Sequence, residues 1–276
     1  MPIKTPGEQN YTRSPIAGLL LLLALSVYAC ADTAGGEITP VQDHSEANVN
    51  VSGLEEDFLT WWTYFNDSIT LSDDFTAFDS SMTEMGKEDF IEALTTGNYI
   101  PLRLDATDGS TRLKLHALSP GSDERIASTI RNKSETILGQ LQMEGSEFPE
   151  FVFNTLDGPV LTNSNTRGKI LIVKCWFIGC QACIEEFPEL NEIVEQYGDR
   201  SDIEFVSLAF DAPEALHRFL QKRDFSYQVA SVDRNFIESD LQVYNYPTHI
   251  VVDKEGNIKK VVNSVNELKS ALEKAL

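Results

Sequence analysis

Apolar residues recur at two periods along this 276-residue chain, and the changes of period mark its elements. After the acidic Glu55-Glu56-Asp57, residues Phe58, Leu59, Trp61, Trp62 and Phe65 fall at roughly helical spacing. Phe90, Ile91 and Leu94 predict a short helix over about 87–95, with Gly97 just past its end. Ile100, Leu102 and Leu104 alternate with other residues, Asp108-Gly109 is a turn signal, and Leu113, Leu115 and Ala117 alternate again. This predicts a β-hairpin. Ile126, Ile130, Ile137, Leu138 and Leu141 predict a helix over about 122–142. Residues 55–143 together read as a small α+β accessory domain.

A second pattern occupies 144–276. Phe151-Val152-Phe153 and Asp157-Gly158 predict a hairpin. Ile170-Leu171-Ile172-Val173 is an apolar, β-branched run, the mark of a strand buried on both faces. Strand 170–177, helix 181–197, strand 203–210, helix 213–222 and a short strand near 227–230 give a βαβαβ order, which favours parallel pairing. His249 begins a strand through Val252, Asp253 to Gly256 is a turn, strand 258–262 pairs back, and helix 265–275 closes the sheet. Pro188 interrupts the helical series Ile184, Phe187, Leu190, Ile193 and Val194. It removes a backbone donor and predicts a kink near 184–187.

The N-terminal region lacks both patterns. Lys4 and Arg13 precede a mostly apolar run of 14 residues, Ile16 to Ala29, too short for a typical membrane span. It ends in Val27-Tyr28-Ala29-Cys30, which resembles a bacterial lipobox, in which Cys30 carries lipid and becomes the mature N-terminus. An ordinary secretory signal or an uncleaved anchor is the alternative. Residues 1–29 therefore read as a signal peptide and 30–54 as a flexible tether of Ala, Gly, Asn, Ser, Asp and Glu. The formal charge of −21 and the lack of a basic stripe exclude nucleic acid as a partner.

Two cysteines carry the chemistry. Cys180-Gln181-Ala182-Cys183 falls where strand gives way to helix. Unpaired N–H groups and the helix dipole there favour a thiolate on Cys180. Cys183, three residues on, is placed to attack a mixed disulfide formed on Cys180, so the pair is suited to thiol–disulfide exchange. Half of a zinc site and a structural disulfide are the other readings. Zinc lacks partners, since neither a second such pair nor a His-x₃₋₅-His spacing is present. Cys175 falls on the buried strand and reads as an inert core thiol. Trp61 and Trp62 read as core rather than a ligand platform, and His116 as a satisfied or exposed histidine.

These residues bring a family into view. Phe148-Pro149-Glu150-Phe151, Leu156-Asp157-Gly158, Gly168-Lys169, Trp176, Cys180-x-x-Cys183, Glu186-Phe187-Pro188, Tyr246-Pro247-Thr248 and Asp253-Lys254-Glu255-Gly256 resemble, in order and spacing, the thioredoxin-like thiol–disulfide oxidoreductases of the TlpA/ResA type. Gly179, Cys175 and Gln181-Ala182 depart from that pattern. The resemblance implies an α/β thioredoxin-like fold, a central mixed sheet flanked by helices, behind the small α+β domain. It implies a cis Tyr246–Pro247 bond beside the cysteines and substrate contacts from Trp176, Tyr246 and Pro247. It also implies that Glu186, one turn past Cys183, carries protons with a pKa raised by partial burial. The expected activity is reduction of disulfides in extracytoplasmic proteins, without a separate cofactor, fed by an upstream thiol donor and anchored to the membrane through Cys30. A binding module of the same fold and a peroxidase-like redoxin are the alternatives. The peroxidase wants Thr three residues before its cysteine, where Phe177 stands.

Overall fold

A computed structural model describes residues 50–275. The signal segment, Cys30 and the tether as far as residue 49 lie outside the described residues.

The N-terminal lobe begins earlier than its apolar pattern predicts. Helix α1 (Val51–Glu56) lies within and just beyond the stretch read as tether, because Leu54 buries in the core with Trp61 and Phe65. Helix α2 (Phe58–Ser68) starts at Asp57, whose carboxylate accepts the Thr60 N–H. Strands β1 (Thr76–Phe78) and β2 (Glu84–Met85) precede helix α3 (Lys87–Thr95). The predicted hairpin follows as β3 (Tyr99–Leu104) and β4 (Arg112–Ala117), antiparallel throughout. The sheet order is β2-β1-β4-β3, with β1 parallel to β4. Helix α4 (Glu124–Met143) covers it, burying Ile126 and Ile130. The short β1 and β2 carry too few alternating positions to be read from pattern.

In the C-terminal part, β5 (Val152–Asn154) and β6 (Val160–Thr162) form the added hairpin, followed by the single turn α5 (Asn163–Thr166). Strand β7 (Ile170–Trp176) leads into α6 (Gln181–Glu185) and α7 (Phe187–Tyr197), two helices where the pattern predicts one kinked helix. The break falls at Glu186, and Pro188 sits in the first turn of α7, where its missing N–H costs nothing. Then come β8 (Ile203–Ala209), α8 (Pro213–Leu220), β9 (Gln228–Ser231), a π-helical turn at Phe236–Asp240, β10 (Thr248–Val252), β11 (Ile258–Val262) and α9 (Val265–Ala275). The sheet order is β11-β10-β7-β8-β9. β7, β8 and β9 are parallel; β10 and β11 are antiparallel additions. This mixed sheet with helices on both faces is the thioredoxin-like arrangement.

Period-two alternation sorts β7 between two cores. Leu171, Val173 and Cys175 pack with Phe148, Phe151 and Phe153 on one face. Ile170 and Ile172 pack with Leu190, Leu268 and Leu272 on the other. The N-terminal lobe meets the C-terminal part where α4 lies along β11 and again at α9. Gln140 Nε2 donates to Asn263 Oδ1 at 2.5 Å, Lys260 pairs with Glu144 at 3.1 Å, and Ser270 Oγ donates to Asp73 at 3.0 Å.

Candidate active site

The site is built at the C-terminal end of β7. Ile178 N–H donates to Asp211 Oδ2 at 2.9 Å, which fixes the loop leading to the cysteines. Cys180 is the N-cap of α6, its Sγ accepting the Cys183 N–H at 3.2 Å, and the two are joined as a disulfide. Cys180 is 8% exposed and Cys183 0%. What little exposure the pair has belongs to Cys180, so the two positions differ, the first suited to attack and the second to resolution. Around them lie Trp176, Phe187, Leu216 and Val229.

Trp176 does not face a substrate. It is 0% exposed, packed against Phe187, Phe219 and Phe225 at centroid separations of 5.1, 5.8 and 6.0 Å. Its place on the strand turns the indole beneath the cysteines, where it acts as their apolar floor. The reading as a substrate contact is corrected accordingly. Tyr246 packs against the cluster that holds both cysteines, and its peptide bond to Pro247 is cis. Tyr246 is half-buried, edge-on to Phe177 at 5.4 Å and Phe210 at 5.8 Å. The loop is held by Asn263 Nδ2, which donates to Pro247 O and Thr248 Oγ1, both at 2.8 Å.

Cys175 is fully buried, and burial pushes its thiol up to about 12. It lies in the core on one sheet face, whereas Trp176 and the cysteine pair share a different cluster. That separates it from exchange chemistry.

Glu186 departs from expectation in its electrostatics. Lys174, 0% exposed, donates to Glu186 Oε2 at 2.5 Å, and His249 Nε2 approaches the same oxygen at 3.0 Å. Val265 N–H donates to Oε1 at 3.0 Å. Burial alone would raise the carboxyl pKa, but the His249 hydrogen bond and the Lys174 charge outweigh it, and the pKa is lowered. Glu186 is therefore a held carboxylate, not an acid with a raised pKa. Burial lowers the pKa of His249, so its imidazole is neutral. Because an ionised carboxylate only accepts, Nε2 carries the hydrogen, and Nδ1 is buried with no hydrogen-bond partner.

The sequence reading gave neither Lys174 nor His249 a place in the site. The antiparallel register pairs them directly across β7 and β10. The available signal was a lysine inside an otherwise apolar strand, which demands a buried counter-charge. Trp61 is core, as read from its spacing, while Trp62 stacks between Phe58 and Phe65. His116 Nε2 meets Glu55 Oε1 at 2.9 Å, an acid that only the fold brings near, and it is satisfied there. Among the described residues no cluster of three or more His, Cys, Asp or Glu could hold a metal ion.

Residues 145–261 match the AhpC/TSA family. The chain is 25% identical over 120 residues to the Thioredoxin-like protein YneN of Bacillus subtilis, covering 43% of this chain and 70% of that protein. It is 29% identical over 115 residues to the thiol–disulfide oxidoreductase ResA of Bacillus cereus, covering 41% of this chain and 66% of that protein. A solved thiol–disulfide oxidoreductase from Bacteroides fragilis aligns at 19% identity and a TM-score of 0.44, covering 48% of this chain and 100% of that one.

Proposed function

With a C-terminal domain that is a thioredoxin-like redoxin of the thiol–disulfide oxidoreductase type, we propose that this chain reduces disulfides in other extracytoplasmic proteins. The observation that carries the reading is the asymmetry of the pair, an approachable Cys180 capping a helix over a sealed Cys183. The Cys180 thiolate attacks a substrate disulfide, forming a mixed disulfide and releasing one substrate thiolate, which takes a proton from solvent. Cys183, deprotonated in its turn, attacks Cys180 Sγ. The intramolecular disulfide forms and the second substrate thiol leaves. Two electrons have passed to the substrate, and a dithiol donor must return them. Glu186 follows Cys183 by three residues with both carboxylate oxygens already engaged, and we assign it a part in resolution through its charge rather than as the holder of the Cys183 proton. No step needs a cofactor.

The rest of the reading concerns place and partners. Cys30 anchors the mature chain by lipid, residues 31–49 give reach, and the lobe spanning 55–143 serves as an accessory domain. The peroxidase reading has Phe177 against it.

The test is a non-reducing gel of cells expressing Cys183→Ala beside Cys180→Ala/Cys183→Ala. Mixed disulfides that need Cys180 and vanish with dithiothreitol support exchange; identical lanes oppose it. A wild-type pair found mainly reduced in the cell supports the reductant direction, and one found mainly oxidised opposes it.

A further inference from the structure

We propose that the cleft between the N-terminal lobe and the redox domain seats an extended polypeptide segment next to the substrate cysteine, which makes the N-terminal lobe the specificity wall of the enzyme. The inference rests on disulfide exchange at Cys180 and adds where the substrate chain runs and which lobe selects it.

The cleft has a volume of about 800 Å³ and is walled by α2 and α4 on one side and by the Pro247 loop and the start of α9 on the other. It lies toward the upper end of the roughly 300–1,000 Å³ typical of ligand pockets. Tyr246 links it to the chemistry, since this residue both lines the cleft and packs against the cluster that holds Cys180 and Cys183. A chain whose sulfur meets Cys180 and whose backbone crosses Pro247 therefore continues into the cleft. The loop is tied to the lobe itself. Asn245 Nδ2 donates to Thr136 Oγ1 at 3.1 Å, and Gln140 holds the Asn263 that holds Pro247.

The lining chemistry selects a polypeptide over an ionic small disulfide. Asn132 and Asn266 present exposed amides from opposite walls. Each amide offers both a donor and an acceptor, the combination that reads a peptide backbone. The bordering charges are already engaged. Asp73 accepts from Ser270 at 3.0 Å, Glu267 accepts from Ser264 at 2.9 Å, and the Lys133 ammonium sits 5.0 Å over the Trp62 ring. Ile69 and Ile137 add an apolar floor for side chains.

The experiment uses two probes with the reduced full-length protein: a short unstructured peptide with one internal disulfide, and hydroxyethyl disulfide. Asn132→Trp and Asn266→Trp fill the cleft from exposed positions. Each is expected to lower the ratio of kcat/KM for the peptide to kcat/KM for hydroxyethyl disulfide by about tenfold, mostly through KM. An unchanged ratio in both variants overturns the cleft while leaving exchange intact. Wild-type protein that reduces neither probe overturns the exchange reading itself. A second measurement does not depend on how the variants fold. A peptide carrying a benzophenone photo-crosslinker, trapped on Cys180 of the Cys183→Ala protein, is expected to crosslink to α2 or α4. Crosslinks confined to residues 144–275 overturn the proposal.

Discussion

At the level of single residues, the three cysteines of the redox domain differ in access rather than in type. Cys180 caps a helix and keeps a small exposure, Cys183 is sealed, and Cys175 is buried in a core on the sheet with its thiol pushed up to about 12. With the reduced native protein, iodoacetamide is expected to modify Cys180 first, with an apparent pKa below that of a free thiol, and Cys175 only after unfolding. Peptide mass mapping checks this, and early modification of Cys175 or Cys183 sinks the assignment. Glu186 bears two predictions. Its carboxylate meets a buried ammonium and a buried imidazole, so Glu186→Gln leaves Lys174 without its counter-charge. Breaking one side of such a pair costs about 3 kcal/mol or more. Because the folded-state pKa of Glu186 is lowered from 4.5, its contribution is full above that pH and is lost as pH falls through the folded value. The stability gap between wild type and Glu186→Gln in urea titrations is therefore expected to be large at neutral pH and to shrink below pH 4.5. A gap independent of pH would show that Glu186 is not the anion of this cluster. Its part in exchange is read separately. Glu186→Gln is expected to slow resolution of mixed disulfides and to alter the pH–rate profile, and an unchanged profile removes it from the mechanism.

Among the elements, the ends of helices decide where functional groups sit. The α6–α7 break turns Glu186 down toward β7 and β10, where Lys174 and His249 receive it. Without the break, the resolving cysteine and its carboxylate would share one continuous helix surface. The end of α3 offers a cleaner measurement. Gly97 has φ +72°, its N–H donates to Leu94 O at 3.0 Å, and an added Cβ would stand 2.9 Å from Ala127 O. Gly97→Ala thus combines left-handed strain with a backbone clash against α4. It is expected to destabilise the protein by about 2 kcal/mol. A lowered urea midpoint at unchanged m-value checks it, and an unmoved midpoint contradicts the packing of α3 on α4.

For the whole molecule, the N-terminal lobe and the redox domain are joined through side chains that also set the Pro247 loop. Gln140 is buried and holds Asn263 in place. Gln140→Ala would leave the Asn263 oxygen unmatched, at a cost of about 1–3 kcal/mol. Attachment to a membrane belongs to this scale too. Mass spectrometry of membrane-extracted protein is expected to find acyl mass on Cys30, and an intact peptide spanning Ala29–Cys30 in the mature protein would rule that out.

Much of this protein can be read from its residues alone. The helical and alternating periods place α2 to α4, the β3–β4 hairpin and the order from β7 to α9, because each element is amphipathic or wholly apolar over enough positions to show its period. Cys180-x-x-Cys183 between strand and helix identifies the chemistry, since thiolate stabilisation at a helix start is a local effect. The inertness of Cys175 follows from its place in a buried strand. Other features depend on residues far apart in sequence. Strands β1 and β2 are too short to carry a pattern, and they exist because β4 offers an edge. Helix α1 forms because Leu54 finds a core assembled by residues beyond it. Trp176 has the identity of a contact residue and the position of a core one, which only the packing of Phe187, Phe219 and Phe225 reveals. Glu186 was legible as a group near Cys183 but not as a held anion. Its charge is fixed by Lys174 and His249, 12 and 63 residues away. Charge–charge and desolvation terms act over ångströms in space, so the tertiary structure alone decides their balance.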